Sequence, residues 1–133
     1  MKTAAQEFIE NIRFVFNSQK ALGDKTFARL SESEMHYSPD PDTNNIAILI
    51  QHMSGNMHSR FTDFYTSDGE KPNRNRDGEF EDNHLSREKL LELWESGWTV
   101  LINVLNDLNE EDLMKTLHIR TEPYTVMGAL NRQ

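Results

Sequence analysis

The sequence contains no cysteine among its 133 residues, and no long hydrophobic run. The first absence excludes disulfide bonds and protein thiolate chemistry, and leaves the redox compartment unmarked. The second excludes a membrane-spanning helix, which needs about 18 consecutive apolar residues. The first residues mix charged and apolar side chains too early for a signal peptide. We therefore expect one cytoplasmic domain, residues 1–133, without a membrane partner.

Basic residues are scarce: 14 Lys and Arg face 22 Asp and Glu, which gives a net charge of −8. A nucleic-acid-binding surface needs clustered Lys and Arg to neutralise phosphates. The densest basic stretch is "EKPNRNRDGEFED", where Lys71, Arg74 and Arg76 alternate with five acidic residues. The sequence therefore predicts no nucleic-acid partner.

Apolar residues are also few, at 36% of the chain. Adding the six glycines leaves the fraction below the roughly 45–50% that is usual for a globular domain. The mean hydropathy is −0.73. We expect either that a partner supplies some apolar surface or that part of the domain lies outside this sequence.

Three amphipathic helices are predicted, near residues 4–30, 45–66 and 86–108. The first begins with a capping box formed by Thr3 and Gln6, and Ser86 caps the third. Apolar residues recur with the helical period in each segment. Trp94 and Trp98, one turn apart, fit core packing better than an aromatic ligand wall.

The remaining segments have different patterns. Residues 31–45 contain two prolines and are predicted to form a loop. The connection "TSDGEKPNRNRDGEFEDNHLS" has 21 residues, and a solvated linker is favoured over a functional loop. "KTLHIRTEPYTV" is β-like, and Thr125 precedes a short fourth helix beginning near Val126. The predicted fold class is all-α.

The stretch "IQHMSGNMHSRF" places His52 and His58 six residues apart on the second helix. Such residues point about 120° apart, so they cannot bind the same ion, unlike pairs spaced three or four apart. His58 is predicted to be a surface residue. His36 and His84 fall in loops and His118 in the β-like segment, and nothing places any of them beside His52.

A polar strip follows one flank of the second helix and consists of Asn45, His52, Asn56, Ser59 and Asp63. If this strip faces a neighbouring helix, it could line a pocket. Spacing alone favours a solvated helix flank instead.

Three segments resemble the DinB/YfiT-like superfamily, and more closely a bacterial branch of it without an assigned function. They are "SQKALGDKTFARLSESE", "NNIAILIQHMSGNMHSRFTDFYTSDGEKPNRNRDGEFED" and "TEPYTVMGALNRQ". The resemblance implies an up-down-down-up four-helix bundle, often dimeric. It also implies a Zn or Ni site with one histidine from the second helix and two from an H-x-x-x-H motif on the fourth. His52 matches the first ligand, and Asn56, one turn further on, is the predicted cofactor-binding residue.

The sequence departs from that pattern because it ends at Gln133, before the two histidines of the fourth helix. We therefore expect a truncated fourth helix, in a domain that is incomplete at its C-terminus or is a natural variant. His52 is expected to face the bundle interior or a cleft near the start of that helix. Metal is expected to be absent or weakly bound.

Two functions remain open. The resemblance implies descent from metal-dependent transferases that use low-molecular-weight thiols, in which the metal activates the thiol or the substrate. No catalytic residue is assigned, and activity of the 133-residue chain is not expected. The alternative is a non-catalytic, dimerising or small-ligand-binding helical protein. A homodimer is expected because Ile48 points about 160° away from the core side of its helix.

Overall fold

A computed structural model describes all 133 residues and shows a mostly helical protein. Three long helices form the body, and three short helices, one 3-10 turn and one β-hairpin connect and close it. In chain order the elements are α1 (Ala4–Ala28), α2 (Glu32–Met35), α3 (Ile46–Phe61), α4 (Arg76–Glu79), α5 (Arg87–Asp107), the 3-10 turn (Glu110–Asp112), β1 (Thr116–Ile119), β2 (Glu122–Thr125) and α6 (Val126–Arg132).

The predicted helix starts are confirmed by their caps. The Thr3 hydroxyl accepts the Gln6 N–H and the Gln6 side chain accepts the Thr3 N–H, an exchange that satisfies two otherwise unpaired donors. Ser86 caps α5 with a single hydrogen bond, in which its hydroxyl accepts the Lys89 N–H. The second long helix was predicted to reach residue 66 but ends at Phe61, because Thr62 is extended with ψ 129° and Asp63 then adopts a left-handed backbone with φ 48°.

The central helix of the body is α5. It packs against both α3 and α1, while α1 and α3 make few contacts with each other. Helices α3 and α5 approach closely at Gly97, where an added Cβ would lie 3.1 Å from the Ser54 Cα. Trp94 and Trp98 of α5 are 3% and 2% exposed, which confirms their predicted place in the core. A cleft therefore remains between α1 and α3, above α5.

None of the helices is both long and apolar enough to cross a membrane. Ile48, whose predicted outward direction was the reason for expecting a dimer, is only 9% exposed within the single chain. That reasoning was wrong, because α2 and the connections cover more of α3 than a simple helical projection suggests.

The β-like segment forms an antiparallel hairpin, so the fold is not purely helical. Ile119 pairs with Glu122, and the two-residue turn between them consists of Arg120 and Thr121. Both turn residues have positive φ, 52° and 68°, a conformation that costs about 1–2 kcal/mol for residues other than glycine. The Asp68 carboxylate accepts the N–H of each at 2.8 Å, which holds the turn in this shape.

The connection that contains Asp68 is ordered, so its interpretation as a solvated linker is wrong. Gly69 is buried, and its N–H donates to the His118 carbonyl at 2.9 Å. The Gly69 carbonyl accepts from Ser59 Oγ at 2.7 Å and from Arg60 Nη1 at 2.6 Å. The connection therefore joins α3 to the hairpin. The other predicted loop, residues 31–45, contains the single turn of α2.

Candidate functional site

A cavity of about 340 Å³ lies in the cleft between α1, α3 and α5, and α6 closes one end of it. A second, more open depression of about 560 Å³ has no apolar residue in its lining. Small-molecule sites combine a mostly apolar lining with a few convergent polar groups, and the first cavity fits that description. Its lining is Phe16, Met53, Met57, Trp94, Trp98, Leu101, Ile119 and Ala129, with Gln19, His52, Asn56, Arg60, Arg132 and Gln133 as the polar members.

His52 is held in the cavity wall by the connection that precedes α5. Its Nδ1 lies 3.1 Å from Glu79 Oε1, and its ring stacks on Phe80 with centroids 4.5 Å apart. Arg74 donates to both Glu79 oxygens at 2.9 Å, which fixes the carboxylate. Gly55 leaves the room for that carboxylate, since an added Cβ would collide with it. The imidazole is 27% exposed, and its Nε2 has no hydrogen-bond partner in the protein.

Asn56 lies one turn after His52 and lines the same cavity. Its Oδ1 accepts a hydrogen bond from Gln133 Nε2, which connects α3 to the end of α6. The structure thus brings both sequence-predicted site residues to one cavity, beside the end of α6 and not its start. Their roles as metal ligand and cofactor-binding residue stay predictions.

The remaining histidines lie elsewhere. His36 contacts Asp82 with Nδ1 at 2.6 Å, and His84 stacks beside it. His58, predicted to be a plain surface residue, is half-buried and lies 2.8 Å from Ser96 Oγ through Nε2. His118 is exposed on β1.

These positions do not fit the three-histidine metal site that the resemblance implies. No group of three or more His, Asp or Glu side chains is arranged to hold a metal ion. A catalytic zinc site keeps three protein ligands and one open position. Within the cavity lining His52 is the one histidine, and the nearby Glu79 carboxylate is already paired with Arg74.

The residues of the predicted polar strip on α3 have two different structural roles. His52 and Asn56 face the cavity, whereas Asn45 donates to Asp82 and Ser59 donates to Gly69, so these two hold the connections in place. Asp63 lies beyond the helix in the turn.

Sequence reasoning missed four polar residues of the lining, namely Gln19, Arg60, Arg132 and Gln133. Arg60 continues the four-residue spacing of His52 and Asn56, and that spacing was a usable signal. Gln19 and Arg132 come from α1 and α6. Nothing in their local sequence indicates a site, because their position depends on how those helices pack on α5.

The fold and the cavity together define a small, mostly helical protein with a partly apolar, ligand-sized site. Residues 3–133 match the family described as a protein of unknown function (DUF1572), and the chain belongs to this family. No match was found among curated proteins. None was found among solved structures.

Proposed function

We propose that this chain is a cytoplasmic, small-ligand-binding protein of the DinB/YfiT-like superfamily. The observation that carries this proposal is the shared position of His52 and Asn56 in one partly apolar cavity. A volume of about 340 Å³ falls in the range of roughly 300–1,000 Å³ that is typical of small-molecule sites.

The fold part of the proposal assigns α1, α3, α5 and α6 to the four helices of an up-down-down-up bundle. The long connections between the first three helices and the hairpin before α6 support this assignment. In such a bundle the cavity lies between the helices, where ligand and metal sites of helical bundles are built.

Ligand binding is proposed ahead of catalysis because His52 is the one histidine in the cavity lining, whereas the resemblance implies a site of three histidines. The DinB-like resemblance implies an origin among proteins that use Zn or Ni together with a low-molecular-weight thiol. A thiol of this kind is therefore one candidate ligand, and we expect at most weak Zn or Ni binding through His52.

We also propose that the protein forms a homodimer. Large apolar side chains are exposed on the two helices that flank the cleft, namely Phe14, Val15 and Leu22 of α1 and Leu49 and Met53 of α3. Exposed large apolar side chains favour association when a partner surface covers them. Sedimentation velocity at high micromolar protein concentration should show a dimer, and a single monomeric species there would contradict this part of the proposal.

The ligand-binding proposal is tested with Nile red, a neutral dye whose fluorescence rises in an apolar site. We expect saturable binding by the full chain and its loss in Gln19→Trp, which places an indole at the cavity rim. Asn17→Trp is the matched control, because Asn17 is exposed on α1 and does not line the cavity. Equal dye binding by both variants, with unchanged circular dichroism, would show that the dye does not occupy this cavity.

A further inference from the structure

The charge of the cavity lining differs from that of the whole protein. The chain carries 22 acidic and 14 basic residues, yet no Asp or Glu is among the 14 lining residues, which include two arginines. In a protein of net charge −8, a site without carboxylates and with two guanidinium groups favours a negative ligand over a positive one.

Arg60 is the more deeply placed of the two arginines, with a side chain 11% exposed. One of its N–H groups donates to the Gly69 carbonyl, and the nearest carboxylate, Glu70, lies 3.7 Å away. Burial lowers the pKa of Arg60, and the positive charges of Arg74, Arg132 and Arg120 lower it further, although Glu70 opposes them. Since this guanidinium is only partly neutralised, an added anion would stabilise its charge.

Arg132 is available at the cavity mouth. Its guanidinium lies over the Tyr124 ring, 5.2 Å from the centroid, and it has no carboxylate partner. A guanidinium presents several N–H donors in a plane and matches a carboxylate with two parallel hydrogen bonds.

The rest of the lining is mostly apolar and includes Trp98. Trp98 is 2% exposed, and its Nε1–H has no acceptor in the protein. Around Trp98 the lining offers Phe16, Met57 and Leu101, which suit an aliphatic or aromatic body.

We infer that the cavity binds an amphipathic organic anion, with its apolar body against α5 and its carboxylate toward Arg60 and Arg132. This inference rests on the proposed ligand-binding function and gives its ligand class. The two arginines come from α3 and α6, so the anionic head would also hold α6 against the bundle.

The experiment compares octanoate, 1-octanol and octylammonium, which share one apolar chain and differ in charge, as competitors of Nile red bound to the full chain. We expect octanoate to compete at least about tenfold more strongly than octanol, the gain typical of one charge-assisted hydrogen bond. Octylammonium should be the weakest. Arg132→Gln should weaken octanoate about tenfold and leave octanol unchanged, while Arg29→Gln, exposed and outside the cavity, should change neither.

Several outcomes would overturn the inference alone, with Nile red still bound. These are equal competition by octanol and octanoate, an unchanged octanoate affinity in Arg132→Gln, or preferential binding of the polar thiol glutathione. Loss of dye binding as the protein dimerises would show that a second copy of the chain fills the cleft. That result would also contradict the binding of an organic anion in the cavity. If no dye binds at any concentration, the proposed function fails together with the inference.

Discussion

The imidazole of His36 and the carboxylate of Asp82 form an ion pair that links α2 to the connection before α5, with Nδ1 and Oδ2 2.6 Å apart. The other ring nitrogen of His36 lies 2.7 Å from the Leu85 carbonyl. Both neighbours are acceptors, so only the doubly protonated ring can donate to each. The hydrogen bond to Asp82 accordingly raises the pKa of His36. Burial alone would raise the pKa of Asp82, but the hydrogen bonds from His36, the His84 N–H and Asn45 lower it.

This pair should make stability depend on pH with a definite sign. The pKa of His36 is raised above its ordinary value of 6.5. The stabilisation of the folded protein by protonated His36 is therefore fully present below pH 6.5, and it is lost as the pH rises through the folded-state pKa. We expect His36→Gln to lower the free energy of unfolding by about 2 kcal/mol at pH 5.5, and by less at pH 9.

Urea denaturation at the two pH values measures the difference. His118→Gln is the control, because His118 is exposed, and it should show no such dependence. An equal loss for His36→Gln at both pH values would contradict a protonated His36. At acidic pH, the stabilisation of the folded protein by the Asp82 carboxylate is present above about pH 3.8, the ordinary pKa of an aspartate. It is lost as the pH falls through the lowered pKa of Asp82.

Asp68→Ala should destabilise the hairpin without touching either strand. The substitution leaves the Arg120 and Thr121 N–H groups without their carboxylate acceptor in a turn that already has positive φ. We expect a loss of about 2 kcal/mol in the free energy of unfolding, and a smaller loss for Asp68→Asn, which keeps one acceptor oxygen. Adding Thr121→Gly to Asp68→Ala should recover part of the loss, since glycine adopts this backbone without strain. No recovery would mean that Asp68 acts elsewhere than at the turn.

Gly97→Ala should destabilise the protein even though alanine favours helix by about 1 kcal/mol. The new Cβ would lie 2.9 Å from Met57 Cε and 3.1 Å from the Ser54 Cα, so α3 and α5 must separate. We expect thermal unfolding to show a net loss of about 1–3 kcal/mol. Thr99→Ala, at an exposed position of the same helix, should have little effect or a slight gain. A stabilised Gly97→Ala would disprove a tight contact between these helices.

The purified chain should contain much less than one equivalent of Zn or Ni. His52 is the one histidine in the cavity lining, and a single imidazole binds such ions weakly. Elemental analysis of the wild type beside His52→Ala provides the measurement. Near-stoichiometric metal that disappears in the variant would reveal ligands beyond those we identify.

The helices could be predicted from the sequence because their determinants are local. Thr3 with Gln6 and the hydroxyl of Ser86 act within one turn of the residues they cap, and α1 and α5 begin one residue after these caps. The end of α3 was misplaced because the break at Asp63 interrupts a continuing apolar pattern. The periodic recurrence of apolar residues cannot predict where the backbone leaves the helical conformation.

The order of the connection could not be predicted, because its partners are distant in the sequence. Asp68 meets Arg120 and Thr121 more than fifty residues further on. The candidate site shows the same limit. His52 and Asn56 share a helix face and could be named together from the sequence, whereas Arg132 reaches the cavity only through the packing of the hairpin and α6.

The central position of α5 has a consequence for motions of the native protein. Since α1 contacts α5 and the 3-10 turn but scarcely contacts α3, we expect α1 to detach as a cooperative unit while α3 and α5 stay paired. In native-state hydrogen exchange, the amides of α1 should therefore open at a lower free energy than those of α5. Phe16 belongs to the wall of the cavity, so the detachment of α1 would open a route for ligand entry, and an occupied cavity would slow the exchange of α1.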